Sequence, residues 1–213
     1  MLELVPVLAQ VLVLALEVPV PVAPVQVVIV PIAQHKEGVL DKANELYNTL
    51  KAAGIRVKLD DSENSPGWKF AEYEMRGVPL RIEIGPRDIE DGKCVAVERH
   101  NRNKTFIPLE NLVEGVKERL QAVHDGMYEK ALANQQARTY SCTSIEEINA
   151  MLAEKGDGFV KAMWCGDEAC EDKVKELTGV GSRCIPLEQE HIDDKCVCCG
   201  KPATCMVVWG KAY

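Results

Sequence analysis

Residues 25–59, VQVVIVPIAQHKEGVLDKANELYNTLKAAGIRVKL, decide the fold. Val25–Val30 is a largely β-branched run between Pro24 and Pro31, the pattern of a strand buried on both faces. Leu40, Ala43, Leu46, Tyr47 and Leu50 then recur at helical spacing, and Gly54 stands where a helix end favours a left-handed residue. Ile55–Leu59 alternates apolar and polar side chains, as a half-buried strand does. Strand, helix and strand with short joints form a βαβ unit, so the two strands are expected to pair in parallel.

Working outward, DDSENSPG (60–67) is a loop by its turn residues. Trp68–Arg76 reads as a short helix closed by Gly77. Leu80–Ile84 and Cys94–Glu98 read as the strands of a hairpin around a Gly85–Gly92 turn, and Asn101–Lys104 as a tight polar connection. A long helix begins near Leu109 and runs to about Arg138, with Leu109, Leu112, Val113, Val116, Leu120, Val123 and Met127 on one face. The apolar pattern breaks at Gln136–Thr143. Beyond it, Ser144–Lys155 and Glu168–Leu177 read as helices, and Phe159–Trp164, Arg183–Pro186 and Cys205–Trp209 as strands. The expected division is an atypical apolar segment over 1–22, one domain over 23–138 and a small α/β domain over 139–213.

The composition suits a globular protein: of 213 residues, 46% are hydrophobic and 27% charged. A net charge of −8 argues against non-specific nucleic-acid binding, which needs Lys and Arg to displace counterions from phosphates. A small basic face that reads a few nucleotides remains compatible with it. The first 22 residues are Val/Leu-rich, but Glu3, Pro6, Glu17, Pro19 and Pro21 interrupt them, and a membrane span needs ~20 apolar residues. Met1–Glu3 also lacks the positive start of a signal peptide. A buried strand or interface segment is the expected role, with a membrane role or a non-native extension as alternatives. No membrane association is expected.

Nine cysteines, an odd number, do not suit a fully paired disulfide framework, and seven of them fall within residues 165–205. Cys165-x4-Cys170 lies at a strand-to-helix corner, and Cys196-x2-Cys199 lies before Gly200 and a final strand. Two short pairs separated by a longer insert are the usual form of a four-thiolate zinc site. Four thiolates leave no open position, so the zinc would be structural. Buried thiols or disulfides are the alternative, and Cys198 or His191 could substitute for one ligand. Cys94, Cys184 and Cys205 read as core residues. Cys142 could be a reactive thiol, though no His partner at motif spacing supports it.

PVAPVQVVIVPI (21–32), GIRVKLDD (54–61), SPGWKFAEYEMRGVPLRIEIGPRD (65–88) and the cysteine-bearing tail ending in GKAY together resemble the C-terminal half of prolyl-tRNA synthetases of the archaeal and eukaryotic type. The resemblance covers residues 21–213. It implies a class II synthetase anticodon-binding domain, a mixed five-stranded sheet flanked by helices, followed by a C-terminal α/β domain holding zinc on Cys165, Cys170, Cys196 and Cys199. By position it carries anticodon contacts to Glu74, Arg81, Arg87 and Asp88, with a backbone contact from Lys104. Tyr213 matches a terminal tyrosine that packs toward the catalytic domain. The implied partner is the anticodon loop of proline tRNA, whose two guanines each offer two N–H donors and one acceptor to a carboxylate and an Arg or Lys.

The match fails upstream. The catalytic motifs of class II enzymes are replaced by an apolar stretch, so the chain as given is expected to be inactive as a ligase and to act with a separate catalytic domain. A cytoplasmic monomer is expected. Alternation in Leu80–Ile84 sets Arg81 and Glu83 opposite Leu80, Ile82 and Ile84 and predicts an exposed Arg81. A second reading keeps the fold but uses it for protein contact, with RNA reading lost. An enzyme acting through Cys142 or the cysteine-rich tail is a third.

Overall fold

The computed structural model describes residues 20–211, which form two compact units, 20–130 and 131–211. In the first unit, β1 (Val27–Pro31) is followed by helix α1 (Val39–Ala52), β2 (Val57–Leu59), α2 (Pro66–Met75), β3 (Leu80–Ile84), α3 (Pro86–Glu90), β4 (Lys93–Glu98) and β5 (Lys104–Pro108). A 3-10 turn at Leu109–Asn111 leads into α4 (Leu112–Ala137), whose residues from Ala131 onward count with the second unit. The strands form one sheet in the order β2-β1-β3-β4-β5. β1 pairs in parallel with β2 and β3, while β3–β4 and β4–β5 are antiparallel. The mixed five-stranded sheet with flanking helices is thus present.

β1 lies inside the sheet between β2 and β3, and every residue in it is buried. Its register sets two faces. Val27 and Ile29 line up with Leu80, Ile82, Ile84, Cys94, Ala96 and Ile107. This inner face packs against Ala43, Leu46 and Leu50 of α1 and Leu112, Val116, Leu120 and Val123 of α4. Those positions recur at three- and four-residue steps, so each helix turns one apolar stripe to the sheet. Val28 and Val30 lie on the outer face, under Phe70 and Tyr73 of α2.

Helix α2 is fixed at both ends. Ser65 caps it by accepting the Trp68 N–H, Pro66 occupies a first-turn position, and Gly77 follows it at φ +74°. Lys69, 1% exposed, anchors it: Nζ donates to the Asp60 carbonyl at 2.9 Å and to Gln34 Oε1 at 3.2 Å, with Asp60 Oδ1 at 3.7 Å. The stretch expected as a plain turn, Gly85–Gly92, contains α3, begun by Pro86 and capped at its start by Asp88, which accepts the Gly85 N–H. β5 directly follows the polar connection. KTFIP alternates exposed and covered side chains, but Pro108 and its short length mask it in sequence.

Of the atypical segment, only residues 20–22 are described, and the expected buried strand or interface segment lies mainly outside the described residues. Residues 20–22 form a turn. Val20 packs into the inner core, and the Arg56 guanidinium donates to the carbonyls of Val20, Pro21 and Ala23. Tyr213 also lies outside the described residues.

The second unit contains β6 (Thr139–Ser141), α5 (Ile145–Lys155), β7 (Phe159–Trp164), α6 (Glu168–Thr178), β8 (Val180–Cys184) and β9 (Cys205–Lys211), with strand order β6-β7-β9-β8. Ser144 and Asp167 cap α5 and α6, and Gly156 and Gly179 follow them at positive φ. The core gathers Ile148, Val160, Ala162, Val174, Val180, Val207 and Trp209. β8 starts three residues earlier than the Arg183–Pro186 expectation, because the strand follows directly from Gly179. β6 falls within the break at 136–143, where three residues are too few to show a period.

Candidate nucleic-acid interface and metal centre

The outer face of the first sheet holds the charged residues. Arg81 and Glu83 stand on β3 opposite Val97 and Val95 of β4, which in turn face Lys104 and Phe106 of β5. Arg81 Nε donates to Glu83 Oε1 at 3.0 Å, and Arg81 NH1 reaches Glu74 Oε1 at 3.4 Å. Lys104 Nζ lies 3.8 Å from Glu83 Oε2, and Arg102 NH2 lies 3.3 Å from Glu74 Oε2. Arg99 Nε donates to the Glu74 carbonyl at 3.0 Å. Glu74, Arg81 and Lys104 are therefore brought together, joined by Glu83, Arg99 and Arg102.

Arg81 is not exposed as expected. Its side chain is 11% accessible, and the guanidinium stacks 3.9 Å from the centre of the Phe70 ring. Strand alternation assigns a residue to a face but does not say what covers that face; here α2 covers it. Arg87 is exposed on α3, and the Asp88 carboxylate is occupied by the Gly85 N–H at 2.9 Å. Among the described residues no hydrogen bond or ion pair joins either to the Glu74–Arg81 cluster.

Beside Glu74 lies a cleft of about 330 Å³ lined by Glu74, Arg99, His100, Asn101 and Arg102. Arg102 holds a left-handed backbone, φ +60°, unusual for a non-glycine residue. Asn101 supports the turn by accepting the Asn103 N–H at 2.8 Å and donating to Glu98 at 2.9 Å. Arg99 and Arg102 carry no periodic signal; only their place on a short Asn-rich connection between two strands hinted at a site.

In the second unit, the sulfurs of Cys165, Cys170, Cys196 and Cys199 lie within 4.8 Å of one another, and Cys165 and Cys199 are 3.8 Å apart. Tetrahedral ligation with Zn–S bonds of ~2.3 Å sets sulfurs ~3.8 Å apart, so this donor set fits zinc. All nine cysteines are free thiols. Cys165 follows β7, Gly166 turns the chain at φ +87°, and Cys170 sits in the first turn of α6. Across the site, Cys196 and Cys199 are held in a knuckle: the Gly200 N–H donates to the Cys196 carbonyl, and Gly200 takes φ +70°. His191 pairs with Asp194 instead, and Cys198 packs against the core.

Burial pushes the Cys165 and Cys170 thiols up, with the neighbouring cysteines adding to the rise at Cys170. The Lys201 backbone N–H draws Cys199 down to about 7. Cys142 is buried, its thiol raised by burial and then by Glu147, which speaks against the reactive-thiol alternative. Cys94 is core as expected, while Cys184 and Cys205 are only partly covered.

The parallel–antiparallel sheet with its flanking helices defines an anticodon-binding fold of the aminoacyl-tRNA synthetases, and the family described as Anticodon binding domain matches residues 26–119. The family described as Prolyl-tRNA synthetase, C-terminal, matches residues 145–213. In chain order the two matches give an anticodon-binding domain followed by a prolyl-tRNA synthetase C-terminal domain, so the chain is similar to the C-terminal part of prolyl-tRNA synthetases. A proline–tRNA ligase of Clostridium botulinum (strain Okra) is 54% identical over 93% of this chain. One of Ruminiclostridium cellulolyticum is 56% identical over the same share. The chain spans 41% of the length of each. The crystal structure of prolyl-tRNA synthetase from Cryptosporidium parvum, complexed with L-proline and AMP, is 36% identical; it superposes with a TM-score of 0.84 over 92% of this chain and 42% of that one. Among the described residues no helix is long and apolar enough to cross a membrane.

Proposed function

We propose that this chain is the tRNA-reading part of a proline–tRNA ligase and that it recognises the anticodon loop of proline tRNA. The observation that carries this is the cluster of Glu74, Arg81 and Lys104 around Glu83 and Arg102, beside a polar cleft. Guanine presents N–H donors and one carbonyl acceptor, and the cluster offers carboxylates and guanidinium or ammonium groups a few ångströms apart. Unstacked loop bases are the usual target of sequence-specific RNA reading. Within the cluster, Arg102 and Lys104 are exposed and Glu74 is partly so; the Glu74–Arg102 ion pair, weak in water, exchanges for contacts to a base at little cost. Arg81, held against Phe70 and Glu83, orients Glu74. Arg87 and Asp88 are proposed contacts at the neighbouring end of β3, Arg87 to phosphate and Asp88 through the α3 start that it holds.

The proposed domains are 23–138 for anticodon binding and 139–213 for the zinc-bearing part. Cys165, Cys170, Cys196 and Cys199 would hold a structural zinc, which clamps the long β8–β9 connection to the β7–α6 corner. Proline activation would be supplied by residues corresponding to the portion of the relatives outside this match.

The test is binding of the full chain to a proline anticodon stem-loop and to the same loop with one guanine changed to adenine, at two salt concentrations. Tighter binding to the guanine loop, lost on Glu74→Gln, is expected. Equal binding to both loops would overturn the reading.

A further inference from the structure

Phe106 is 60% exposed in the middle of β5, on the same sheet face as Arg81, Glu83 and Lys104. A single exposed apolar residue is ordinary. This one has particular neighbours. Directly across the strand pair stands Val95, and across Val95 stands Glu83, so Glu83, Val95 and Phe106 form one row over three strands. The adjacent row is Arg81, Val97 and Lys104, and the Lys104 side chain crosses β4 to reach Glu83 at 3.8 Å. Lys93 Nζ lies over the Phe106 ring, 4.7 Å from its centre, and pairs with Asp91 Oδ2 at 2.8 Å. Over β1 and β3 the face is covered by α2; over β4 and β5 it carries an exposed aromatic ring met by the Lys93 side chain, with Lys104 and Glu83 in the neighbouring rows.

We infer that Phe106 is a stacking platform for one nucleobase of the bound single-stranded RNA loop, with Lys93 and Lys104 flanking it for the phosphates. The inference rests on the RNA-reading proposal above and adds a residue and a role to it. An aromatic ring accepts the face of any base, so Phe106 supplies affinity, while a base lying over Val95 has its edge turned toward Glu83, where N–H donors are preferred. Lysines at the border favour a polyanion, whereas two copies of a chain of net charge −8 repel each other. Phe106 is not needed by the core: the inward residue of β5 is Ile107, 3% exposed.

The experiment measures binding of the full-length chain and its Phe106→Ala, Phe106→Leu and Phe106→Trp variants to three stem-loops: the proline loop, its guanine-to-adenine form, and forms with one abasic loop position. Phe106→Ala and Phe106→Leu are expected to bind the proline loop ~10- to 100-fold more weakly, with Phe106→Trp close to the parent. At one abasic position the parent weakens and Phe106→Ala costs nothing further, which a structural role would not produce. Parent-like binding by Phe106→Ala, while the parent still prefers the guanine loop, overturns this inference and leaves the proposed function standing. A parent that does not distinguish the loops overturns both. A change in self-association with unaltered RNA binding would assign the ring to protein contact instead.

Discussion

Replacing Arg81 by glutamine removes the central cation of the outer face. Arg81 and Glu83 are 11% and 12% accessible, so Glu83 would lose its main partner in a poorly solvated place. Breaking a buried pair from one side costs ~3–5 kcal/mol. Lys104 at 3.8 Å remains and offsets part of this, although its own side chain is 62% exposed and the attraction is screened. Losing the guanidinium over Phe70, 3.9 Å from the ring centre, adds ~1 kcal/mol. The expected loss for Arg81→Gln is ~2–4 kcal/mol. Glu83→Gln should cost only ~1–2 kcal/mol, because Arg81 keeps Glu74 at 3.4 Å and Phe70. The double variant should then cost less than the sum by ~1 kcal/mol or more. Native-state hydrogen exchange at β3 and β4 amides in low urea reads this unit separately from residues 131–211. A cost for Arg81→Gln below ~0.5 kcal/mol, or additivity within ~0.5 kcal/mol, would mean that water screens the pair and that α2 does not cover it.

Cys170→Ser should lower bound zinc well below one per chain and increase amide exchange across residues 131–211 while leaving 20–130 unchanged, since structural metal binding is folding energy; zinc-free parent protein with the same exchange pattern would refute this. Gly115→Ala should destabilise by ~1 kcal/mol despite the helix preference for Ala, because its Cβ would stand 2.6 Å from Cγ2 of the buried, stiff Ile107. A raised thermal midpoint would count against that packing. Burial first, and Asp88 second, push the Cys94 thiol up to about 12. A raised folded value means that the native state keeps the proton. Stability from this group is therefore full below the unfolded thiol value of ~8.5 and falls by up to ~1.4 kcal/mol per pH unit as pH rises toward the folded value. Urea midpoints at roughly pH 8 and 10.5 should diverge less in Cys94→Ala than in the parent; parallel midpoints would show that Cys94 contributes nothing to the slope.

The βαβ start was legible because each of its signals is local: a β-branched run for β1, a 3.6-residue stripe for α1, and Gly54 for the exit. The same holds for α4 and the 3-10 turn before it, whose marked apolar positions all lie in or against the core. Short elements were not legible. β6 has three residues and β5 has five, one of them proline, so neither offers a period to read. The helix inside Gly85–Gly92 was hidden because Pro86 and its flanking glycines signal a turn as strongly as a helix start.

The sequence by itself determined the mixed α/β elements and the inner apolar face, and its spacing singled out the two cysteine pairs, since hydrophobic period and cysteine spacing are properties of neighbouring residues. Tertiary structure alone decided what meets across the chain. It brought the two cysteine pairs to one centre, 34 positions apart for Cys165 and Cys199. It also laid α2 over Arg81, reversing the expected exposure, and joined Glu74 to Arg102 from 28 positions away. It left Phe106 open because the covering helix stops short of the last two strands. Alternation assigns a side chain to a face, and only the packing of distant elements settles whether water, a helix or an RNA base lies against it.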